Sequence, residues 1–154
     1  MTKQERALHI EGVALIVVNP LGQVLILQEL RTKEHFGKYA GMFSHPMETL
    51  EPGESDQSGL KRLLKEELPG FPDQIEIEPE PRGAYQIAPR VWARFYAART
   101  TSTSLPTSRG ELGEVGGHRW MPPEEALGLW LRQGAREMLT DFVEGKRGVV
   151  CKRC

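Results

Sequence analysis

Two apolar runs, Val13–Val18 and Val24–Leu27, flank Asn19-Pro20-Leu21-Gly22 in the segment GVALIVVNPLGQVLILQ. Branched aliphatic residues on both sides of an Asn-Pro and Gly turn signal predict two strands joined as a β-hairpin. A sheet is therefore the first requirement on the fold. The segment after it, residues 31–46, mixes charge, glycine and aromatics without period, and reads as loop with a short strand at Met42–Ser44.

Pro52-Gly53 is turn chemistry, and Ser55 or Asp56 can cap a helix by accepting backbone N–H bonds. Leu60, Leu64 and Leu68 then recur every four residues. This spacing predicts a helix over 56–68, ended by Pro69-Gly70. A Pro- and Glu-rich connector follows at 72–82, then strands at Gly83–Ile87 and Val91–Ala98, and a polar Ser/Thr loop at 100–108. His118–Met121 reads as a short strand, and Pro122-Pro123-Glu124-Glu125 opens a helix with residues that the first turn favours. A last amphipathic helix is expected over Ala135–Val143, with Met138, Leu139, Phe142 and Val143 inward. Strands, a helix, strands and then helices make an α+β or layered α/β domain with a mixed sheet.

Of the 154 residues, 39% are hydrophobic and 27% charged, which suits one soluble domain. The net charge is −1 and the lysines and arginines are scattered, so a nucleic-acid polymer is not an expected partner, whereas a small phosphorylated ligand is. The N-terminus lacks an apolar signal region and no window reaches the roughly eighteen apolar residues of a membrane span. A cytoplasmic location is expected. Cys151 and Cys154 form a C-x-x-C pair without the further ligands of a zinc site or the context of a redox motif. Residues 1–146 are read as a single domain and 147–154 as a flexible tail.

The run RLLKEE at 62–67 carries the chemistry. On a helix Leu63 and Glu67 share a face, Glu66 lies about 100° from Glu67, and Arg62 sits one turn before Glu66. Two such carboxylates suit Mg²⁺, which is commonly held by one or two carboxylates while substrate phosphates complete its shell. Glu54 in the turn can add an oxygen, and Arg62 can fix a glutamate's rotamer. Taken alone, a Lys-Glu-Glu triplet is more often a solvated helix face.

The wider stretch, ETLEPGESDQSGLKRLLKEELPG, resembles the Nudix box: Gly, five residues, Glu, seven residues, then Arg-Glu-U-x-Glu-Glu-x-Gly-U, where U is a bulky aliphatic residue. Glu54, Arg62, Leu64, Glu66 and Glu67 fall in register. Glu48 replaces the first glycine, Leu63 the first helix glutamate, Pro69 the second glycine and Gly70 the final aliphatic residue. The hairpin, the Gly41-Met42-Phe43-Ser44 run and ELGEVGGHRWMPPEEAL are similar to family segments in order and spacing, so the resemblance spans most of residues 10–130.

The resemblance implies a Nudix-like α/β/α sandwich with a mixed β-sheet. It also implies metal-dependent hydrolysis of a nucleoside diphosphate-linked or related phosphoanhydride, with Mg²⁺ or Mn²⁺ held by Glu54, Glu66 and Glu67. Arg62 and Glu66 belong to the catalytic set. In many members the glutamate at the Leu63 position binds metal or takes a proton, so its loss implies a weak enzyme. In some members a loop carboxylate does this work, and here that loop holds Glu111 and Glu114, with Glu114 the preferred base. Glu48 either adds a ligand or crowds the site. Arg31 can contact phosphate, although a surface arginine is the simpler reading. His118, Trp92, Phe95 and Tyr96 read as sheet packing, one ring being able to stack on a base. The substrate-binding residues are open, as is a homodimer. The rival reading is a catalytically impaired Nudix-like domain that binds a ligand or a protein.

Overall fold

The computed structural model describes residues 10–71, 74–106, 115–146 and Gly148. Glu111, Glu114, Cys151, Cys154 and the end of the Ser/Thr loop lie outside these residues. In chain order the elements are β1 (Ile10–Val18), β2 (Val24–Glu29), a short 3-10 turn (Glu34–Phe36), β3 (Phe43–Ser44), β4 (Met47–Thr49) and α1 (Asp56–Glu67). There follow β5 (Ile75–Ile77), β6 (Gly83–Ala88), β7 (Val91–Thr100), β8 (Val115–Met121), α2 (Pro123–Ala126) and α3 (Ala135–Glu144).

The Asn19 side chain closes the turn after β1 by accepting from the backbone N–H groups of Leu21 and Gln23, each at 3.0 Å. Gly22, at φ 76°, supplies the left-handed step that the turn needs. The hairpin does not persist beyond this point. Its register is Val18 opposite Val24, after which the strands part and chain 42–49 enters between them. Phe43–Ser44 pairs with β2, while Met47–Thr49 pairs antiparallel with Gly12–Ala14 of β1. Leu15 donates its N–H to the Pro46 carbonyl and Glu29 donates its own to Met42. Local turn chemistry specifies the reversal, but the remaining backbone groups find long-range partners.

β1 runs parallel to β7 from Ile10 opposite Trp92 to Val18 opposite Arg99, and the other pairings in the sheet are antiparallel. The sheet is thus mixed. Both faces of β1 are covered, which is why its run is apolar without alternation. Ala14 and Ile16 pack with Phe95, Met138 and Leu139 on the α3 side. Val13, Leu15 and Val17 pack with Leu60, Leu63, Leu64 and Leu68 on the α1 side. This is a helix–sheet–helix sandwich. α1 lies so close to β1 that a Cβ at Gly59 would collide with Leu50 and press on Val13.

Three expectations change. The 72–82 connector contains a strand, β5, whose Ile-Glu-Ile alternation is too short to register in the sequence but whose backbone pairs with β7 at Ala98–Thr100. α3 turns Val143 outward at 49% exposure, because Met138 and Leu139 complete the buried stripe and Phe142 only borders it. Leu63 is wholly buried among the leucines beneath α1, so it is a core residue rather than a member of the cleft wall. Among the described residues no helix is long and apolar enough to cross a membrane.

Candidate active site

The helix that bears the glutamates is fixed at both ends. Ser55 caps it by accepting from the Ser58 N–H at 3.2 Å. Asp56, the alternative cap residue, is committed elsewhere: its carboxylate accepts from Arg94 Nε and Nη2 at 2.6 and 2.8 Å and from the Tyr96 hydroxyl at 2.6 Å. At the far end His118 Nε2 donates to the Glu67 carbonyl at 2.7 Å, tying α1 to β8.

Arg62 gathers the segments between these anchors. Its Nη2 donates to Glu54 Oε1 at 2.5 Å and to the Thr49 carbonyl at 2.7 Å, and its Nη1 lies 3.0 Å from Glu48 Oε1. Glu54 also accepts from the Glu51 N–H and the Ser58 hydroxyl, each at 2.9 Å. The Glu51 N–H and Arg62 hold the Glu54 carboxyl below the usual range. Glu54 is thereby built into the turn and does not line the cleft beside it.

That cleft, about 200 Å³ in volume, has Glu48, Glu66 and Glu67 on one side and Lys38, Phe36 and Arg132 among its other lining residues. Glu67 Oε1 accepts from the Met47 N–H at 2.9 Å, and burial pushes this carboxyl up to about 8; Lys38 opposes the rise and Glu29 adds to it. Glu48 comes from β4, and its carboxyl makes a side-chain hydrogen bond with that of Glu66, an exposed residue. Burial, then Glu66, raises Glu48 to about 7, with Arg62 pulling the other way. Two like charges in a partly desolvated cleft resist joint ionisation.

Positive charge stands behind them. Arg132 is 2% exposed, donates from Nη2 to the Phe36 carbonyl at 2.6 Å, and has Nη1 at 3.9 Å from Glu29 Oε1. Its Nε has no partner. Arg132, Lys38 and Glu29 were not among the residues singled out from the sequence. Glu29 carried a faint signal, a charge at the end of an apolar strand; Lys38 and Arg132 sit in aperiodic segments that gave none. Arg31 is exposed, Phe95 and Tyr96 are buried on opposite faces of β7, and Trp92 is partly buried.

Among the described residues no three carboxylate, imidazole or thiol groups stand close enough to hold a metal ion by themselves. The donor set still fits a hard cation: carboxylate oxygens from two elements meet at the cleft, and two of them are close enough to share a proton. An ion of the Mg²⁺ type needs only one or two carboxylates when phosphate oxygens supply the rest.

The family model described as the NUDIX domain matches residues 8–142. The chain belongs to this family. No curated protein matches it. Among solved structures, this NUDIX domain is similar to a C. elegans Ap4A hydrolase binary complex, with a TM-score of 0.69 and 17% identity over 88% of this chain and 97% of that one. A MutT protein from Methanosarcina mazei gives a TM-score of 0.65 at 18% identity, covering 90% and 96% of the two chains. The NUDIX domain of Shewanella oneidensis NrtR, complexed with ADP ribose, gives 0.61 at 16% identity, covering 94% and 99%. At these identities the likeness is one of fold, and the NUDIX fold accounts for the split between β1 and β2 that brings Glu48 beside α1.

Proposed function

We propose that this NUDIX domain is a hydrolase that cleaves a nucleoside diphosphate-linked or related phosphoanhydride with the help of Mg²⁺ or Mn²⁺. The observation that carries the reading is the cleft itself, where Glu48, Glu66 and Glu67 stand with Lys38 and Arg132 around a space fit for a diphosphate. About 200 Å³ is less than the ~300 Å³ at which small-molecule pockets begin, so the cleft takes the phosphates and the rest of the substrate extends outside it.

Glu66 and Glu67 are the proposed ligands from α1. A divalent cation there would neutralise phosphate charge and make an attacking water more acidic. Arg62, with Glu54 accepting from it, holds β4 and α1 in register. Lys38 and Arg132 supply donors for phosphate oxygens. In hydrolysis the water oxygen joins one phosphorus, the bridging P–O bond breaks, and a base must take the water's proton. Glu114 is the proposed acceptor: it immediately precedes Val115, which pairs with Glu29 at the cleft end of β8.

The titles of the similar structures suggest where to begin: Ap4A, bound by one enzyme's name, and ADP ribose, bound by another domain. Purified protein with Mg²⁺ or Mn²⁺ is expected to release phosphate-bearing products from at least one member of a diphosphate panel. Glu114→Gln then lowers kcat/KM by at least ~10²-fold, while Glu111→Gln serves as the matched loop control. Equal and small losses in both variants remove Glu114 from the mechanism. A second reading, a ligand-binding NUDIX domain without turnover, is favoured by the burial of Leu63, which leaves α1 one carboxylate short. Metal binding without turnover on any substrate decides for it.

A further inference from the structure

We infer that Glu48 is a ligand for the divalent cation, taking the part of the carboxylate that α1 lacks at Leu63. The inference rests on the hydrolase reading and says which side chain makes it workable.

α1 presents only Glu66 and Glu67 to the cleft, and Glu67 spends Oε1 on the Met47 N–H. A third carboxylate cannot come from position 63, whose side chain is 0% exposed beneath the helix. It comes instead from the strand. β4 places Glu48 directly after Met47, and its carboxyl reaches that of Glu66 at hydrogen-bonding distance. Oxygens that close need something positive between them, and a cation with carboxylate ligands at ~2.0–2.1 Å replaces a shared proton without moving either backbone.

The orientation is set independently of any ion. Arg62 Nη1 lies 3.0 Å from Glu48 Oε1, and Arg62 is itself held by Glu54 and the Thr49 carbonyl. A glycine at this position, as in the family pattern, offers no side chain to Arg62 or to Glu66. The second observation concerns the other partner. Arg132 lines the same cleft, is 98% buried by its 2% exposure, and keeps an Nε–H without an acceptor. A buried guanidinium with an unused donor suits a phosphate oxygen. Cation and diphosphate therefore complete one another, and each is expected to tighten the other's binding.

Mn²⁺ titration followed by electron paramagnetic resonance, with and without methylenediphosphonate, tests this on the full chain. Glu48→Gln and Glu48→Gly are expected to weaken Mn²⁺ binding at least ten-fold, and Glu76→Gln, on exposed β5, to leave it unchanged. Circular dichroism melts establish that the variants are folded; if Glu48→Gln melts early, Glu48→Asp keeps the charge, shortens the reach and is expected to bind with intermediate affinity. Wild-type affinity in folded Glu48→Gln and Glu48→Gly overturns the assignment of Glu48 and leaves the hydrolase reading standing. Failure of the wild-type protein to bind Mn²⁺ even with the diphosphonate overturns both.

Discussion

The two ends of α1 treat charge in opposite ways. At the start, Asp56 meets Arg94 through both carboxylate oxygens and adds the Tyr96 hydroxyl, so a buried charge has its countercharge and its hydrogen bonds. At the end, Glu67 is buried with one backbone donor, Glu48 leans on Glu66, and Arg132 keeps an unused N–H. Both clusters join strand to helix. One is complete within the chain, and the other holds its carboxyls above their usual range, a condition relieved by a ligand. Satisfied charge is structural here, and unsatisfied charge marks the site.

The contrast can be broken from either side. The largest effect is expected from Leu63→Glu, which removes core packing and buries a carboxylate among leucines. A loss of ~3–5 kcal/mol in denaturant unfolding, with no gain in turnover, is expected; gained turnover at unchanged stability contradicts the core placement. Asp56→Asn comes next. It leaves Arg94 without its countercharge and should cost ~2–4 kcal/mol, while Mn²⁺ affinity stays within a factor of a few. A large drop in Mn²⁺ affinity in the folded variant would show that the two ends are not independent.

A pH series probes the unsatisfied end without mutation. Glu67 and Glu48 have folded values near 8 and 7, above the ordinary 4.5, so between these limits the native state holds more protons than the unfolded chain and stability falls as pH rises. His45, fully buried and lowered to about 4 by that burial, acts the other way, but only between about 4 and 6.5. Above pH 6.5 the carboxyls act alone. Metal-free protein should therefore lose on the order of 2 kcal/mol between pH 6.5 and 8, read as a falling Tm. A rising Tm over that window would refute the assignment.

The smallest effect on stability is expected from Glu67→Gln. The amide keeps an oxygen for the Met47 N–H and carries no charge, so stability at pH 7 should change by less than ~1 kcal/mol and the slope above pH 6.5 should flatten. Mn²⁺ affinity should nonetheless drop at least ten-fold. Unchanged affinity in this folded variant removes Glu67 from the site.

What the sequence disclosed follows from the range of the interactions involved. α1 was legible because its cap, its leucine spacing and the Pro-Gly after it all act within a few residues. β1 and β2 were legible as strands for the same reason, but not their separation, which depends on backbone pairing with Met47–Thr49 and with β7. Arg62, Glu66 and Glu67 were named because the motif is contiguous. Lys38 and Arg132 were not, since their place in the cleft is decided by the 3-10 turn and by the segment before α3. Leu63 had two readings in the sequence, as helical geometry puts it on the Glu67 side, and only packing against β1 separated them.

The parallel ladder between β1 and β7 carries a consequence for assembly. Its partners, from Ile10 with Trp92 to Val18 with Arg99, are separated by more than half of the chain. Closing such a loop costs entropy before any contact repays it, and high contact order slows folding. On the ribosome, β1 emerges with its turn ready and then waits for β7. Until that strand arrives, an apolar edge stays open to self-association, so residues 13–18 are where a chaperone or an aggregating neighbour would first take hold.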